Sequence, residues 1–478
     1  METTKNLIKR FFKWEYAWLL LIVVATLILH FIIIANPAQP LFDEQHYVPD
    51  TRTIIDSHYT NRGEHPPLAK LLMAGGMLIF GDNQYGWRIP SIVFGTLGIV
   101  FFYLMCRRLK MSRRASTLGT LVLATENLYF VQSGIAMLDI FVASFSIMAF
   151  WLYARRNYAL AGVAVALATL CKFTGLFAII PIILHWFIGR RDQPVRFVAS
   201  LLLAMVSFFV LLAAFDAAIY LRMTDFINSL WSGLKATDSL TFVSAAHPSM
   251  SRPWEWIFNL EIMAYNFGPH FIGLVSFSVW ALTVPTLAYM IFKSFLKNTA
   301  ALFGVCWFIG TYVMWIPLSL ITNRVSFIYY FLPTVPAICL GLGMGLDYCV
   351  GYWLSPRKKR APPSALPLVT EALLPSTAEQ LSGPVTPVLE NINPTDLITS
   401  GPVTEVPAET SMVTSIAPPP PPEDPVPELP SKPDKWWRKG KLQWTAISFV
   451  VLFFLVHLAT FIIVAPPLNN WPIQNWFP

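Results

Sequence analysis

Two adjacent carboxylates, Asp43 and Glu44, stand in LFDEQHYVPD, residues 41–50, directly after an apolar run of about twenty residues, the length of a membrane span. Charges at the mouth of such a run are costly unless they are solvated, paired or used. The same stretch holds His46 and Asp50. Further ionisable residues sit singly beside later apolar runs: His65 in EHPPLAK, close to Lys70; Asp139 in SGIAMLDIF; Lys172 in CKFTG; His247 in AHPSMSRPWEW, which also carries Trp254; and Arg324 in TNRVSFIYYFLP. A carboxylate can take the proton of an attacking hydroxyl. Lone cations can hold a phosphate and stabilise its departure. Each residue also has a plain structural role open to it. Asp-Glu and Asp139 could cap helices, HPP could make a rigid turn, Lys172 could snorkel to headgroups, and Arg324 could pair with lipid phosphate. Asp43, Glu44 and His46 are metal-compatible ligands, but three neighbours on a loop define no coordination geometry. The expectation is no required metal, with a divalent ion left open.

The elements that must position these residues are membrane helices. Of 478 residues 55% are hydrophobic and only 13% charged, which is half the charge of a soluble domain and marks a polytopic membrane protein. The net charge of +7 is read as orientation rather than nucleic-acid binding. The basic N-terminus leads into a long apolar run without a small-residue cleavage site, so a first transmembrane helix is expected there. The five cysteines, Cys106, Cys171, Cys306, Cys339 and Cys349, match no metal or disulfide spacing. ENLYFVQSG at 126–134 is interrupted as a protease site by Val131 and reads as native.

Apolar runs of near-spanning length fall at about 16–36, 89–106, 115–132, 135–154, 158–171, 174–189, 197–221, 270–292, 299–321, 325–350 and 442–464, eleven expected helices. Residues 67–81 form a shorter apolar segment. If that segment stays at the interface, all but nine of the 34 Lys and Arg fall on the side of the N-terminus. The nine are Arg52, Arg62, Lys70, Arg88, Lys172, Arg222, Lys235, Arg252 and Arg324. So strong an asymmetry puts the N-terminus in the cytoplasm and residues 41–88 in one external loop. Residues 222–269 make a second external loop. Every residue of chemical interest then shares the external face. The domain plan is a catalytic membrane domain over 1–355, a Pro-rich cytoplasmic linker over 356–441, densest at 418–422, and a last helix with an external tail over 442–478. The linker cannot bury enough apolar surface to fold.

In this order, FDEQHY, HPPLAKLL, VQSGIAMLDIF, CKFTGLF, HPSMSRPWEW and RVSFIYYFLP resemble the protein O-mannosyltransferases, which use dolichyl- or polyprenyl-phosphate mannose. The likeness runs over about residues 16–350, and the combination of DE, HPPLAKLL and AMLD carries it. It implies the all-α, polytopic GT-C glycosyltransferase fold, commonly with eleven transmembrane helices. It also implies inverting transfer of mannose from a polyprenyl-phosphate lipid to Ser or Thr of a secreted or membrane protein, outside the cytoplasm. By the match, Asp43 is the base and Glu44 orients it or the acceptor. Lys172, Arg324 and His65 are candidates for the donor phosphate, and Asp139, His46, His247 and Trp254 for the sugar or acceptor pocket.

The chain departs from the resemblance in three places. Gly134 replaces an Arg that many members carry before IAMLD, so another cation must serve if that Arg meets a carboxylate or the donor. The second external loop is short, as in bacterial members, which points to a prokaryotic plasma membrane. The Pro-rich insert is foreign to the family. Two other readings remain at this stage. One is a GT-C enzyme moving another polyprenyl-phosphate sugar to lipid A or a cell-wall glycan, whose members more often have Lys-Pro-Pro where His65-Pro66-Pro67 stands. The other is a transporter of lipid-linked sugars, which would place its ionisable groups near the midplane, often with paired repeats.

Overall fold

A computed structural model describes residues 10–238, 241–243, 247–267, 270–355 and 440–464. The Pro-rich segment and the external tail expected after residue 464 lie outside these residues, as do Met1 to Lys9. Among the described residues, six helices are long and apolar enough to cross a membrane: Gln84–Arg108, Phe173–Arg190, Pro194–Tyr220, Thr299–Thr322, Val335–Leu354 and Lys441–Val464. Counting the bent pair Asn127–Gly134 with Asp139–Ala154, broken by 113°, as one span makes seven. Ala17–Ile33, Leu68–Phe80 and Tyr158–Cys171 are shorter apolar helices.

The differences from the sequence reading have local causes. The run at 115–132 is two helices, because the buried Glu126 ends one and caps the next. Its carboxylate accepts the backbone N–H of Tyr129 and of Ser276, both at 2.8 Å. The run at 270–292 opens as a strand. His270–Leu274 pairs antiparallel with Ile262–Phe267, a two-stranded sheet set among helices. Leu68–Phe80 has 13 residues, about 20 Å at 1.5 Å each. That is short of a hydrocarbon core of about 30 Å, as is the 14-residue Tyr158–Cys171 that the apolar pattern reads as a span, so length does not separate an interfacial 67–81 from a crossing one. The external loop also holds a helix the apolar pattern did not announce, Glu44–Ser57, whose polar residues and internal Pro49 give no clean period.

The bundle and the last helix form one compact unit. Lys441–Val464 packs on Val335–Leu354. His457 bonds Thr125 at 3.0 Å and Ser278 at 2.8 Å, which ties that helix to two others.

Candidate active site

Asp43 is the N-cap residue of Glu44–Ser57, so it and Glu44 leave the chain in different directions. Asp43 lines a cavity of about 330 Å³ together with Arg62, His65, Lys172, Arg324 and Tyr330. A smaller cavity, about 50 Å³, adjoins it. The two share His65, Lys172, Arg324 and Tyr330, and the smaller is otherwise walled by residues such as Phe173, Trp315 and Leu318. Crowding by protein pushes the Asp43 carboxyl up to about 7. Lys172 pulls it back, Asp139 adds to the rise, and the Tyr47 hydroxyl, 3.5 Å away, donates to it. A carboxylate with a pKa near neutrality suits a general base.

Glu44 does not face this cavity. It is fully buried, and its carboxylate forms a two-point pair with the equally buried Arg88, Nε to Oε1 at 2.9 Å and Nη2 to Oε2 at 2.8 Å. The same carboxylate accepts the backbone N–H of Leu41 at 2.8 Å and of Ala136 at 2.6 Å. Arg88 spends its remaining donors on the carbonyls of Ile34, Pro37 and Gln39. This network ties the end of the first apolar helix, the Asp43 loop and the IAMLD stretch into one body. The cation that Glu44 pairs with is Arg88, while Gly134 lies against His30 and Ile33.

Lys172 occupies the turn after Tyr158–Cys171. The turn is tight: a Cβ on Gly175 would lie 2.2 Å from the Ala168 carbonyl carbon. Lys172 reaches both oxygens of Asp139 at 2.9 Å, and its ammonium lies 4.4 Å from the Tyr330 ring centre. Burial works against its charge, but Asp139, Tyr330 and Asp43 outweigh it and hold the pKa above its ordinary value. Asp139, the first residue of its helix, therefore braces Lys172; it is not among the residues lining either cavity.

Arg324 lies in an extended segment after Asn323, whose left-handed backbone ends the preceding helix. Bridges Thr241–Arg324 and Met250–Phe327 pin that segment to the second external loop. Among the described residues the Arg324 guanidinium makes no ion pair, so it is the cation most available to a ligand.

His65 lines both cavities, but burial and then the charges of Lys172, Arg324, Lys70 and Arg62 press its pKa well below the usual value. It is a neutral donor or acceptor, not a third cation. Its loop is held by Lys70, which bonds Thr60 and the Arg62 carbonyl and pairs with the buried Asp50 at 3.2 Å. His46 is on the cavity wall. Its Nδ1 accepts from Arg62 at 2.8 Å, which requires an unprotonated nitrogen, and burial and Arg62 lower its pKa. His247 stands one layer back, edge-on to Phe42 and Phe327. Trp254 lines neither cavity and lies near Arg252, whose guanidinium is 5.8 Å from its ring. Among the described residues no three His, Cys, Asp or Glu gather as a metal site: Glu44 turns to Arg88 and His46 to Arg62.

Arg62, Tyr47, Tyr330 and Arg88 were not singled out from sequence. Arg88 alone left a signal, as a lone cation in the first turns of a span, where it needs a partner.

A family model described as dolichyl-phosphate-mannose-protein mannosyltransferase matches residues 64–220. A polyprenol-phosphate-mannose–protein mannosyltransferase of Mycobacterium tuberculosis is 24% identical over 405 residues, covering 66% of this chain and 76% of that protein. The S. cerevisiae protein O-mannosyltransferase Pmt1–Pmt2 complex, solved with its sugar donor, superposes with a TM-score of 0.57 at 14% identity, over 72% of this chain and 86% of that one. This chain is a GT-C glycosyltransferase. It resembles the protein O-mannosyltransferases. The fold is shared more widely. ArnT of Cupriavidus metallidurans, solved with undecaprenyl phosphate, gives a TM-score of 0.52 at 18% identity over 71% of this chain, which spans only 63% of ArnT. The chain is thus a multi-pass membrane enzyme.

Proposed function

We propose that this enzyme transfers mannose, with inversion, from polyprenyl-phosphate mannose to Ser or Thr hydroxyls of proteins on the external face of a prokaryotic plasma membrane. The N-terminus is then cytoplasmic and the cavities open outward. The observation that carries the reading is Asp43, with a pKa near 7, in one cavity with Lys172 and Arg324. The acceptor oxygen forms its bond to the anomeric carbon as the bond from that carbon to phosphate oxygen breaks. The hydroxyl proton goes to Asp43, and the phosphate leaves with the electron pair, met by Arg324 and Lys172. The sugar and acceptor fill the larger cavity. The smaller one, walled by Phe173, Trp315 and Leu318, is the apolar side of the phosphate site along which the prenyl chain would leave. Glu44 acts by holding the Asp43 loop through Arg88. His65 donates a hydrogen bond as a neutral ring, and His46 and His247 shape the rim and its backing.

The test is transfer of radiolabelled mannose from polyprenyl-phosphate mannose to protein, in membranes carrying the native chain or Asp43→Asn. Label on protein with the native chain alone is the expected result. Near-normal transfer by Asp43→Asn overturns the base assignment. Absence of label with a folded native chain, alongside transfer of another polyprenyl-phosphate sugar to a glycan or lipid, favours the reading closer to ArnT.

A further inference from the structure

The helix Phe226–Asp238 follows the long span Pro194–Tyr220 after five residues. It therefore lies at the membrane surface at that end of the span. Tyr220, the last residue of the span, meets Tyr59 of the first external loop at 6.0 Å between ring centres, so this is the face that carries the site. Three large apolar side chains of the short helix are exposed: Ile227 at 62%, Trp231 at 59% and Leu234 at 37%. At 3.6 residues per turn they fall within an arc of about 60°. The exposed Leu221 and Met223 continue the patch back to the span. On one side of the arc stand Lys235 and Asn228, with the Lys235 ammonium 5.4 Å from the Trp231 ring centre. On the other side the helix touches protein, and the contact is made by Gly233. A Cβ there would lie 2.3 Å from the Gly63 carbonyl oxygen. Gly63 belongs to the loop that presents Arg62, Glu64 and His65 to the larger cavity.

A narrow apolar stripe, a tryptophan, a flanking lysine and direct continuity with a span are the features of a helix lying in the lipid interface. We propose that Phe226–Asp238 floats in the outer membrane surface, with Ile227, Trp231 and Leu234 among lipid, and through Gly233 holds the Arg62–His65 loop level with that surface. The occupant of the apolar face is lipid, and Lys235 is placed for a headgroup phosphate. The cavity wall is then referenced to the plane in which a lipid-borne donor arrives, by a contact that no side chain could make.

The experiment uses the full chain in phosphatidylethanolamine–phosphatidylglycerol vesicles. Nitroxide is placed at Trp231→Cys or at Asn228→Cys, with Cys349→Ala to remove the one cysteine that is not buried. Collision with oxygen should dominate at 231, and collision with a water-soluble nickel chelate at 228. Free access of nickel to both labels overturns the lipid seat. So does a 231 label that loses nickel access only when acceptor protein is added, because the face would then be a protein-docking surface. This readout does not depend on which sugar the enzyme moves. The coupling to the loop, which rests on the mannosyl-transfer reading, is tested by Gly233→Ala. Alanine is the better helix former, so the helix itself is not weakened, yet the Gly63 carbonyl must move. Transfer should fall ~10-fold or more, since displacements of this size at a site cost up to about 100-fold, while the 231 label stays in lipid. Unchanged transfer by Gly233→Ala overturns the coupling.

Discussion

Arg88→Met tests whether Glu44 works by holding the site rather than by touching substrate. In the native chain Arg88 and Glu44 are 1% and 0% exposed and share two hydrogen bonds. The methionine fills much of the volume but leaves Glu44 charged, buried and supported only by the N–H groups of Leu41 and Ala136. Stranding one partner of such a pair costs about 3–5 kcal/mol. The carbonyls of Ile34, Pro37 and Gln39 also lose their donor. Gln39 is exposed and its carbonyl can turn to water, while Ile34 and Pro37 are buried; about 3 kcal/mol is therefore the least that is expected. If the loop relaxes instead of the bundle unfolding, the same energy appears in the position of Asp43. At 1.36 kcal/mol per factor of ten it corresponds to a loss of about 150-fold in transfer. Arg88→Lys should recover little, because an ammonium restores the charge but not the fork. Adding Glu44→Gln to Arg88→Met removes the stranded charge and should recover about 2 kcal/mol of thermal stability in a double-mutant cycle. Mannosyl transfer and thermal unfolding in detergent are measured on all variants. A folded Arg88→Met enzyme with a third or more of native transfer and an unmoved melting temperature would refute the reasoning.

Four further outcomes follow from the same structure. Because the base must be ionised, kcat/KM for transfer should rise about tenfold per pH unit below about 7 and level off above it. Arg62→Gln, which removes a charge that favours the Asp43 carboxylate, should move that limb to higher pH. Arg324→Gln should raise the KM for the lipid donor and leave thermal stability unchanged. Lys172→Met should lose transfer and also about 3–5 kcal/mol of stability, because it strands Asp139; donor titration and thermal melts distinguish the two. His457→Leu should lower stability by about 1–3 kcal/mol, read as a lower melting temperature, from its lost bonds to Thr125 and Ser278, without changing the KM for donor.

The membrane character and the gathering of Asp43, His65, Lys172 and Arg324 were legible in the sequence because each rests on a strong one-dimensional signal. Apolar run length reports burial in lipid, and the asymmetry of Lys and Arg sorts the loops by side. Residues confined to one side of a bundle have few places to meet. The break at Glu126 was not legible: within an apolar run a single carboxylate looks like a cost, and only the distant N–H of Ser276 makes it a cap. The division of labour between Asp43 and Glu44 was invisible for a related reason. Successive residues at a helix start point about 100° apart, so adjacency in the sequence does not say which carboxylate faces the cavity. Which one enters is decided by the partner waiting for the other. Here that partner is Arg88, in a separate helix, with both side chains buried and every donor engaged. The same logic explains His65. A histidine among lone cations reads as one more cation, but burial, and after it the charges of Lys172, Arg324, Lys70 and Arg62, keeps it neutral. Residue type sets what a group can do; the charges folded around it select the form in which it does so.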